Sequence, residues 1–175
     1  MAPAGGAPRE PYPPDAEDAE AEPAPLRDLV DARVRGADWA NERRVGLALD
    51  RVEVRDARLT GADLPEAVLT DVVFADCRLD LLGLRGARLE RVVFRDCGMG
   101  ESDLYDASLQ DVVFERCVLR RARFACAAVG RVELRGCDLA GASGAEALRG
   151  ARIPWNDVVA NAPVFAAALG IEILD

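Results

Sequence analysis

Histidine and lysine are both absent from the chain, so all 22 basic residues are arginine. The lack of histidine removes the commonest general base and the commonest metal ligand of proteins. No apolar run approaches the roughly 20 residues needed to span a bilayer, and the start lacks the basic and apolar regions of a signal peptide. We therefore expect a cytoplasmic protein without membrane association, whose five cysteines are reduced thiols.

Catalytic motifs are lacking as well. The sequence contains no phosphate-binding loop, no nucleophile that a histidine could activate, and no metal-ligand spacing. Residues 47–141 carry 17 acidic residues against 14 arginines, whereas a general nucleic-acid binder is expected to be basic. These absences predict a protein that is not an enzyme, needs no cofactor and does not bind nucleic acid directly.

A repeat of twenty residues organises the middle of the chain. Residues 71–77 read Asp-Val-Val-Phe-Ala-Asp-Cys, and close copies follow at 91–97 and 111–117. More divergent copies stand at 51–57 and 131–137. Self-similarity at a fixed period of this length is typical of a solenoid.

A period of five runs inside the period of twenty. Every fifth residue from Leu49 to Leu139 is apolar, and the residues two positions earlier are mostly small and apolar, with Ser102 as the exception. Two inward residues that flank one outward residue make a short strand, and two further residues turn a corner. Four such sides close a square coil of twenty residues, which would stack on the next coil at about 4.8 Å.

The same pattern resembles the pentapeptide-repeat family, whose motif is written Ala-(Asp/Asn)-Leu-x-x. The motif stands at Ala62-Asp63-Leu64, Ala87-Arg88-Leu89, Ala107-Ser108-Leu109 and Cys137-Asp138-Leu139. The resemblance implies an all-β solenoid, namely a right-handed quadrilateral parallel β-helix of about five coils with a C-terminal α-helical cap.

The pattern divides the chain into four parts. Residues 1–25 hold seven of the ten prolines and no hydrophobic period, which predicts a disordered acidic tail. Residues 26–46 are expected to form a partial N-terminal coil and cap. The repeat helix spans 47–141, and a C-terminal cap spans 142–175, with helices at about 154–169.

Particular residues are expected to close the two ends. Trp39 lies in phase with the large interior series and is predicted to cover the open N-terminal end of the core, although Glu42 and Arg44 break the pattern just after it. At the other end, Gly170 is a natural helix stop. Beyond it, residues 171–174 alternate like a short strand.

Residues twenty apart should stand in columns. An interior column of thiols is interpreted as small apolar filling rather than as a metal site, because in-line ligands do not make a tetrahedron; it comprises Cys77, Cys97, Cys117 and Cys137. Cys126 lies at an outward corner and is the thiol expected to react. A column of alternating charge predicts a salt-bridge ladder; it comprises Arg51, Asp71, Arg91, Asp111 and Arg131.

Two further columns carry hypotheses about function. Asp56, Asp76 and Asp96 suit a turn that accepts local backbone bonds, with ion binding as the open alternative. Val73, Val93 and Val113 occupy the outward middle position of one side, where three aligned valines predict an exposed stripe that contacts a partner.

The prediction for function is a non-catalytic scaffold that presents rigid flat faces to a protein partner. The alternative rests on the family resemblance, because some members mimic DNA, bind type II topoisomerases such as gyrase and confer quinolone resistance. Those members commonly dimerise through C-terminal helices, which implies a homodimer interface at Val158, Phe165 and Leu169. The interleaved charges of residues 47–141 depart from the strongly acidic face that such mimicry needs.

Overall fold

The computed structural model describes residues 6–14, 20–21 and 25–174. Its strands all run parallel in one eight-stranded sheet, with the order β1 to β7 along the stack and β8 also paired with β6. The strands are β1 (Glu20–Ala21), β2 (Leu29–Arg35), β3 (Ala48–Arg55), β4 (Val68–Ala75), β5 (Arg88–Arg95), β6 (Ser108–Glu115), β7 (Ala128–Val129) and β8 (Val132–Arg135).

The period of twenty becomes the register of the sheet. Val52 pairs with Val72, and Val72 with Val92, so each coil lies on the coil twenty residues earlier. The other sides of the coil are joined by single parallel bridges, such as Arg58 to Arg78 and Asp63 to Gly83. The predicted solenoid of about five square coils, the right-handed quadrilateral β-helix, is therefore confirmed.

The corners are made by left-handed backbone. Every fifth residue from Asp31 to Cys126 has a positive φ, and most of these residues are not glycine. Such a conformation strains an ordinary residue, and aspartate and asparagine tolerate it best. Each five-residue side therefore ends in one left-handed residue that turns the chain, a feature that the spacing alone does not specify.

The core consists of the two inward series. Phe74, Phe94 and Phe114 stack along the axis with ring centroids 5.2 Å apart, and their planes are parallel to within 6°. Phe124 meets Phe114 edge-on at 6.5 Å. Ser102, the exception in the small series, is fully buried and donates a hydrogen bond to the carbonyl of Leu79 at 3.2 Å. This bond satisfies its hydroxyl, so the interior tolerates it.

The two ends of the core are covered by different means. Leu26 and Trp39 are both buried at the N-terminal end. After the last coil come a 3-10 helix at Ala145–Leu148 and two short helices, α1 (Trp155–Ala160) and α2 (Ala162–Ala168). Gly170, at φ 68°, ends the second helix. The helical C-terminal cap expected at about 154–169 is present.

Two described stretches of the segment that was predicted to be a disordered tail make defined contacts with the β-helix. Residues 20–21 form β1 and pair with Arg33 and Val34 of β2. Residues 6–14 lie along the β-helix and hydrogen-bond to it. At the other end, residues 171–174 form no strand and are exposed, because no neighbouring strand edge pairs with them in the described part of the chain.

Candidate interaction surfaces

The valine column is aligned as predicted but is not an exposed stripe. Val73 pairs with Val93 and Val93 with Val113. Only 7 % of Val93 is exposed, and its two neighbours are half-buried. The prediction of exposure is wrong for Val93, because strand spacing leaves a central valine covered by the valines above and below it. The predicted partner contact at this column stays a prediction.

The column of alternating charge forms repeated bidentate ion pairs. Each aspartate accepts two hydrogen bonds, from Nε and Nη2 of the arginine one coil further on. Arg91 bonds Asp71 at 2.7 and 2.9 Å, and Arg131 bonds Asp111 at 2.5 and 2.6 Å. Asp31 takes the same two bonds from Arg51. The pairs recur every forty residues, so they join the coils two by two in the ladder that the sequence predicts.

Two of these aspartates are buried although they stand at outward corners. The side chains of Asp71 and Asp111 are 6 % and 2 % exposed, whereas Asp31 with the same arginine partnership keeps 34 %. The arginine pair is common to all three aspartates, so it does not account for the difference in their burial. The N-terminal segment supplies further cover, because the amide of Tyr12 donates to Asp71 and that of Arg9 to Asp111, both at 3.0 Å.

These bonds keep both carboxylates ionised despite their burial. The guanidinium of Arg131, together with the Arg9 amide and Gln110, holds the pKa of Asp111 at about 2, against the opposing effect of burial. Burial raises the pKa of Asp71, but the bonds from Arg91 and from the Tyr12 amide outweigh it, and the pKa lies below its ordinary value. A buried carboxylate with this many donors is a stable anion.

The aspartate column at 56, 76 and 96 has the geometry of a turn. All three residues have φ between 52° and 56°. Asp96 is also paired with Arg116 through two bonds at 2.7 and 2.8 Å, and Asp56 with Arg35 at 2.9 Å. The described residues contain no group of three acidic, cysteine or histidine side chains that could hold a metal ion. The left-handed corner accounts for aspartate at these positions, and the bonds of Asp56 and Asp96 come from arginine side chains rather than from the local backbone. The predicted local backbone bonds stay a prediction.

The cysteine column is buried and bonded to the backbone. The thiols of Cys77, Cys97, Cys117 and Cys137 each lie near the carbonyl of a residue 23 positions earlier, at 3.3 to 3.6 Å. Ser102 bonds Leu79 across the same interval, which shows that this small position generally offers a carbonyl acceptor. The neighbouring thiol and burial raise the pKa of Cys97 and of Cys117 to about 12. Cys126 is exposed.

The C-terminal helices are joined to the last coil by two side chains, those of Asn161 and Asp157. Asn161 is buried and accepts a hydrogen bond from the amide of Leu139 at 2.8 Å. Its Nδ2 donates to the carbonyl of Cys137 at 3.0 Å and to that of Asp157 at 2.9 Å. Asp157 in turn accepts from the amide of Gly136 at 2.6 Å. Four polar groups near the open end are thereby satisfied.

An apolar groove of about 400 Å³ lies between these helices and the 3-10 helix. All three predicted dimer residues, Val158, Phe165 and Leu169, line it, so the structure does bring them together. The C-terminal part of the chain also leaves large apolar side chains exposed, of which Leu169 lines the groove; they are Trp155, Val159, Leu169, Ile171, Ile173 and Leu174. Clusters of this kind are typical of protein contact surfaces.

The charged side chains of the coils are largely paired between neighbouring coils. Outside the ladder, such pairs join Arg116 to Asp96, Arg95 to Glu115, and Arg121 to Glu101. Similar pairs join Arg58 to Asp38 and Arg43 to Asp63. Because opposite charges alternate along the stack on several sides, these sides do not carry a continuous run of acidic groups.

Parallel coils of five-residue sides, left-handed corners and a helical cap define a β-solenoid of the quadrilateral type. The family model described as "Pentapeptide repeat region" matches residues 47–124 and 67–144, together more than half of the chain. The chain therefore belongs to the pentapeptide-repeat family. No helix among the described residues is long and apolar enough to cross a membrane.

Several solved structures are similar to this chain. QnrB1, described as a plasmid-mediated fluoroquinolone resistance protein, is 15 % identical with a TM-score of 0.37, covering 89 % of this chain and 96 % of its own. Rfr23 from the cyanobacterium Cyanothece 51142 is 13 % identical with a TM-score of 0.25, covering 74 % and 86 %. HetL from Nostoc sp. strain PCC 7120 is 19 % identical with a TM-score of 0.23, covering 73 % and 81 %. Comparison with curated protein sequences finds no match.

Sequence reasoning missed two features of these surfaces. Asn161 falls in a helical pattern where nothing marks it as buried, although its place just before Ala162 and Pro163 is a hint of a helix boundary. The contacts of residues 6–14 were missed because a proline-rich segment without hydrophobic period gives no sign of a docking site. The spacing of Pro8, Pro11 and Pro14 at intervals of three was the available signal.

Proposed function

We propose that the protein is a non-catalytic interaction scaffold that assembles as a homodimer through its C-terminal helices. The observation that carries the proposal is the apolar groove at that end, together with the exposed apolar side chains of residues 155–174. In a monomer this surface would lie in water, at a cost of about 25 cal/mol for each Å² of apolar area. A second copy of the same surface is a self-complementary occupant.

The alternative function is DNA mimicry directed at a type II topoisomerase. Membership of the pentapeptide-repeat family supports it, since family members with this activity are rods that dimerise end to end. The pairing of acidic and arginine side chains between coils speaks against it, because a mimic of duplex DNA needs regularly spaced charges of one sign. The scaffold role is therefore the proposed function.

A gyrase supercoiling assay with the purified full chain separates the two. The scaffold proposal predicts that the protein neither inhibits gyrase nor protects it from a quinolone at about 10 µM. This concentration is well above the dissociation constant of a typical specific complex. Inhibition at sub-micromolar concentration would overturn it in favour of mimicry. The Leu169→Asp variant serves as the control, because inhibition by a two-fold rod should disappear when the C-terminal surface carries a charge.

A further inference from the structure

The N-terminal segment 6–14 runs along the charged column as an extended chain. Gly6 lies beside the side chain of Arg131, the amide of Arg9 donates to Asp111, and the amide of Tyr12 donates to Asp71. The segment thus runs along the stack from the coil of Arg131 to the coil of Asp71, opposite to the direction in which the chain adds coils. It makes no ladder bonds with a strand edge, and the backbone amides of Arg9 and Tyr12 both donate to aspartate carboxylates.

The spacing of the two bonds matches the geometry of a polyproline helix. Asp71 and Asp111 are two coils apart, which at strand spacing is about 9.6 Å. Arg9 and Tyr12 are three residues apart, and a polyproline II helix advances about 9.3 Å over three residues. One turn of this helix therefore corresponds to two coils, which is also the interval at which the aspartates of the column recur.

Burial along the segment shows the same period of three. Pro8 and Pro11 are half-buried and Pro14 is buried, whereas Pro13 and Tyr12 are exposed. A polyproline II helix has three residues per turn, so Pro8, Pro11 and Pro14 share the face that packs on the β-helix. The two donating amides belong to the residues that directly follow Pro8 and Pro11. The guanidinium of Arg91 lies over the ring of Tyr12, with Cζ of the arginine 5.8 Å from the ring centroid.

We infer that the Asp71–Asp111 column is a binding site for proline-rich peptides with prolines at every third position, and that residues 6–14 occupy it as a tethered ligand. A carboxylate already fixed by an arginine is a preorganised acceptor, and the backbone amide that bonds it needs no particular side chain. Recognition then depends on the polyproline conformation, whose ordering cost is low because the chain is already extended. The inference extends the proposed scaffold role by naming a class of partner.

Tethering makes the site a switch between occupants. A tethered ligand acts at an effective concentration on the order of millimolar, so weak intrinsic binding suffices to keep the column covered. A partner peptide must therefore compete with residues 6–14, and it gains access when the segment is displaced.

Proline substitutions within the full chain test the inference. Arg9→Pro with Tyr12→Pro removes both amide donors while preserving the polyproline conformation. Arg9→Ala with Tyr12→Ala is the matched control, since it removes both side chains and keeps both amides. The probe is a fluorescent peptide with the sequence of residues 6–14, and its binding is followed by anisotropy. We expect affinity about tenfold or more higher for the proline variant than for the wild type and the alanine control.

A second pair of variants locates the bound peptide. In the proline variant, Asp111→Asn should weaken peptide binding about tenfold, because it replaces a charged acceptor. Asp96→Asn should not, since Asp96 has the same kind of arginine pair but accepts no bond from the segment. Absence of peptide binding to the proline variant, equal binding to the wild type, or indifference to Asp111→Asn would each overturn the inference.

Amide exchange in the unmodified protein provides a test without any substitution. The amides of Arg9 and Tyr12 should exchange at least about tenfold more slowly than that of Glu10, for which the fold assigns no acceptor in the described structure. Equal rates at all three positions would overturn the tethered occupancy. These experiments measure only the binding of peptide and of residues 6–14 at this column. A negative result would therefore leave the proposed scaffold function and its gyrase test unaffected.

Discussion

The amide of Leu139 donates to the side-chain oxygen of Asn161, where the amide of Leu119, one coil earlier, donates to the backbone carbonyl of Asp138. The carbonyl groups of the two coils show the same substitution of partners. The carbonyl of Cys117 accepts from the backbone of Asp138, and that of Cys137 accepts from Nδ2 of Asn161. The amide group of Asn161 thus replaces the peptide group of the next coil and ends the ladder on this side.

Asn161→Ala should destabilise the C-terminal end. The substitution leaves the amide of Leu139 and the carbonyl of Cys137 without these partners, which is expected to cost about 2–4 kcal/mol of unfolding free energy. Urea unfolding measures this cost, and faster exchange of the Leu139 amide locates it. Asn156→Ala, at an exposed position on the first helix, is the control and should change little. If Asn161→Ala were as stable as the wild type, the Asn161 side chain would not be replacing the peptide group of a further coil.

Phe94→Ala should remove the central ring of the aromatic stack. Phe94 is fully buried between Phe74 and Phe114, so a cavity is created that rigid stacked coils cannot close. We expect a loss of about 3–5 kcal/mol in denaturant unfolding. Phe94→Leu is the comparison, since it fills most of the volume, and its loss should be clearly smaller. Equal losses for the two variants would argue against the stack as observed.

Leu169→Asp should convert a dimer to a monomer. Leu169 is 73 % exposed within one chain, so the substitution leaves the fold of the monomer intact and places a charge only in the proposed interface. The molar mass measured by light scattering should fall from about twice 18.8 kDa for the wild type to 18.8 kDa for the variant. Phe165→Asp tests the same surface but also disturbs the cap, because Phe165 packs against the core.

The control for this surface lies at the opposite end of the rod. Val45→Asp introduces the same charge at a residue that is 61 % exposed near the N-terminal coil. It should leave the mass unchanged. A wild-type protein that is already monomeric would show that the C-terminal helices serve as a lid alone.

Acid should weaken the protein partly through Asp111. Because Arg131 and its other donors depress the folded pKa of Asp111 to about 2, its contribution to stability is complete above about pH 5 and is lost as the pH falls through about 2. The contribution is about 2 kcal/mol at neutral pH. Comparing the unfolding free energies of the wild type and Asp111→Asn at pH 7 and at pH 2 measures it. The difference between the two proteins should shrink at the lower pH, and a constant difference would refute the assignment.

One thiol of five should react in the folded protein. Cys126 is exposed, whereas the other four cysteines are buried in the interior column. A thiol reagent should therefore modify one cysteine rapidly under native conditions and all five in denaturant. Cys126→Ser should abolish the rapid phase. A rapid phase that persists in this variant would show that the column opens to solvent.

The sequence predicted the architecture well because the solenoid is built from local repeats. Each five-residue side buries the same two positions, so the apolar series from Leu49 to Leu139 specifies both the strand direction and the stacking interval. The ion pairs of Asp71 with Arg91 and of Asp111 with Arg131 follow from the same period. Burial on the outer surface was less predictable, as Val93 shows, because it depends on what neighbouring coils place over a residue.

The sequence by itself determined the coil, its register and the content of the interior, since a strict period admits one arrangement of inward and outward positions. Only the tertiary structure decided how the repeat ends and what lies across its faces. Asn161 takes the place of a peptide group through a contact 22 residues away in sequence, and residues 6–14 meet Asp71 and Asp111 across 59 and 102 residues. Contacts of this kind join parts of the chain that are distant in sequence, so the period of the coils does not predict them, and the groups that they bind are brought together only by the stacked coils.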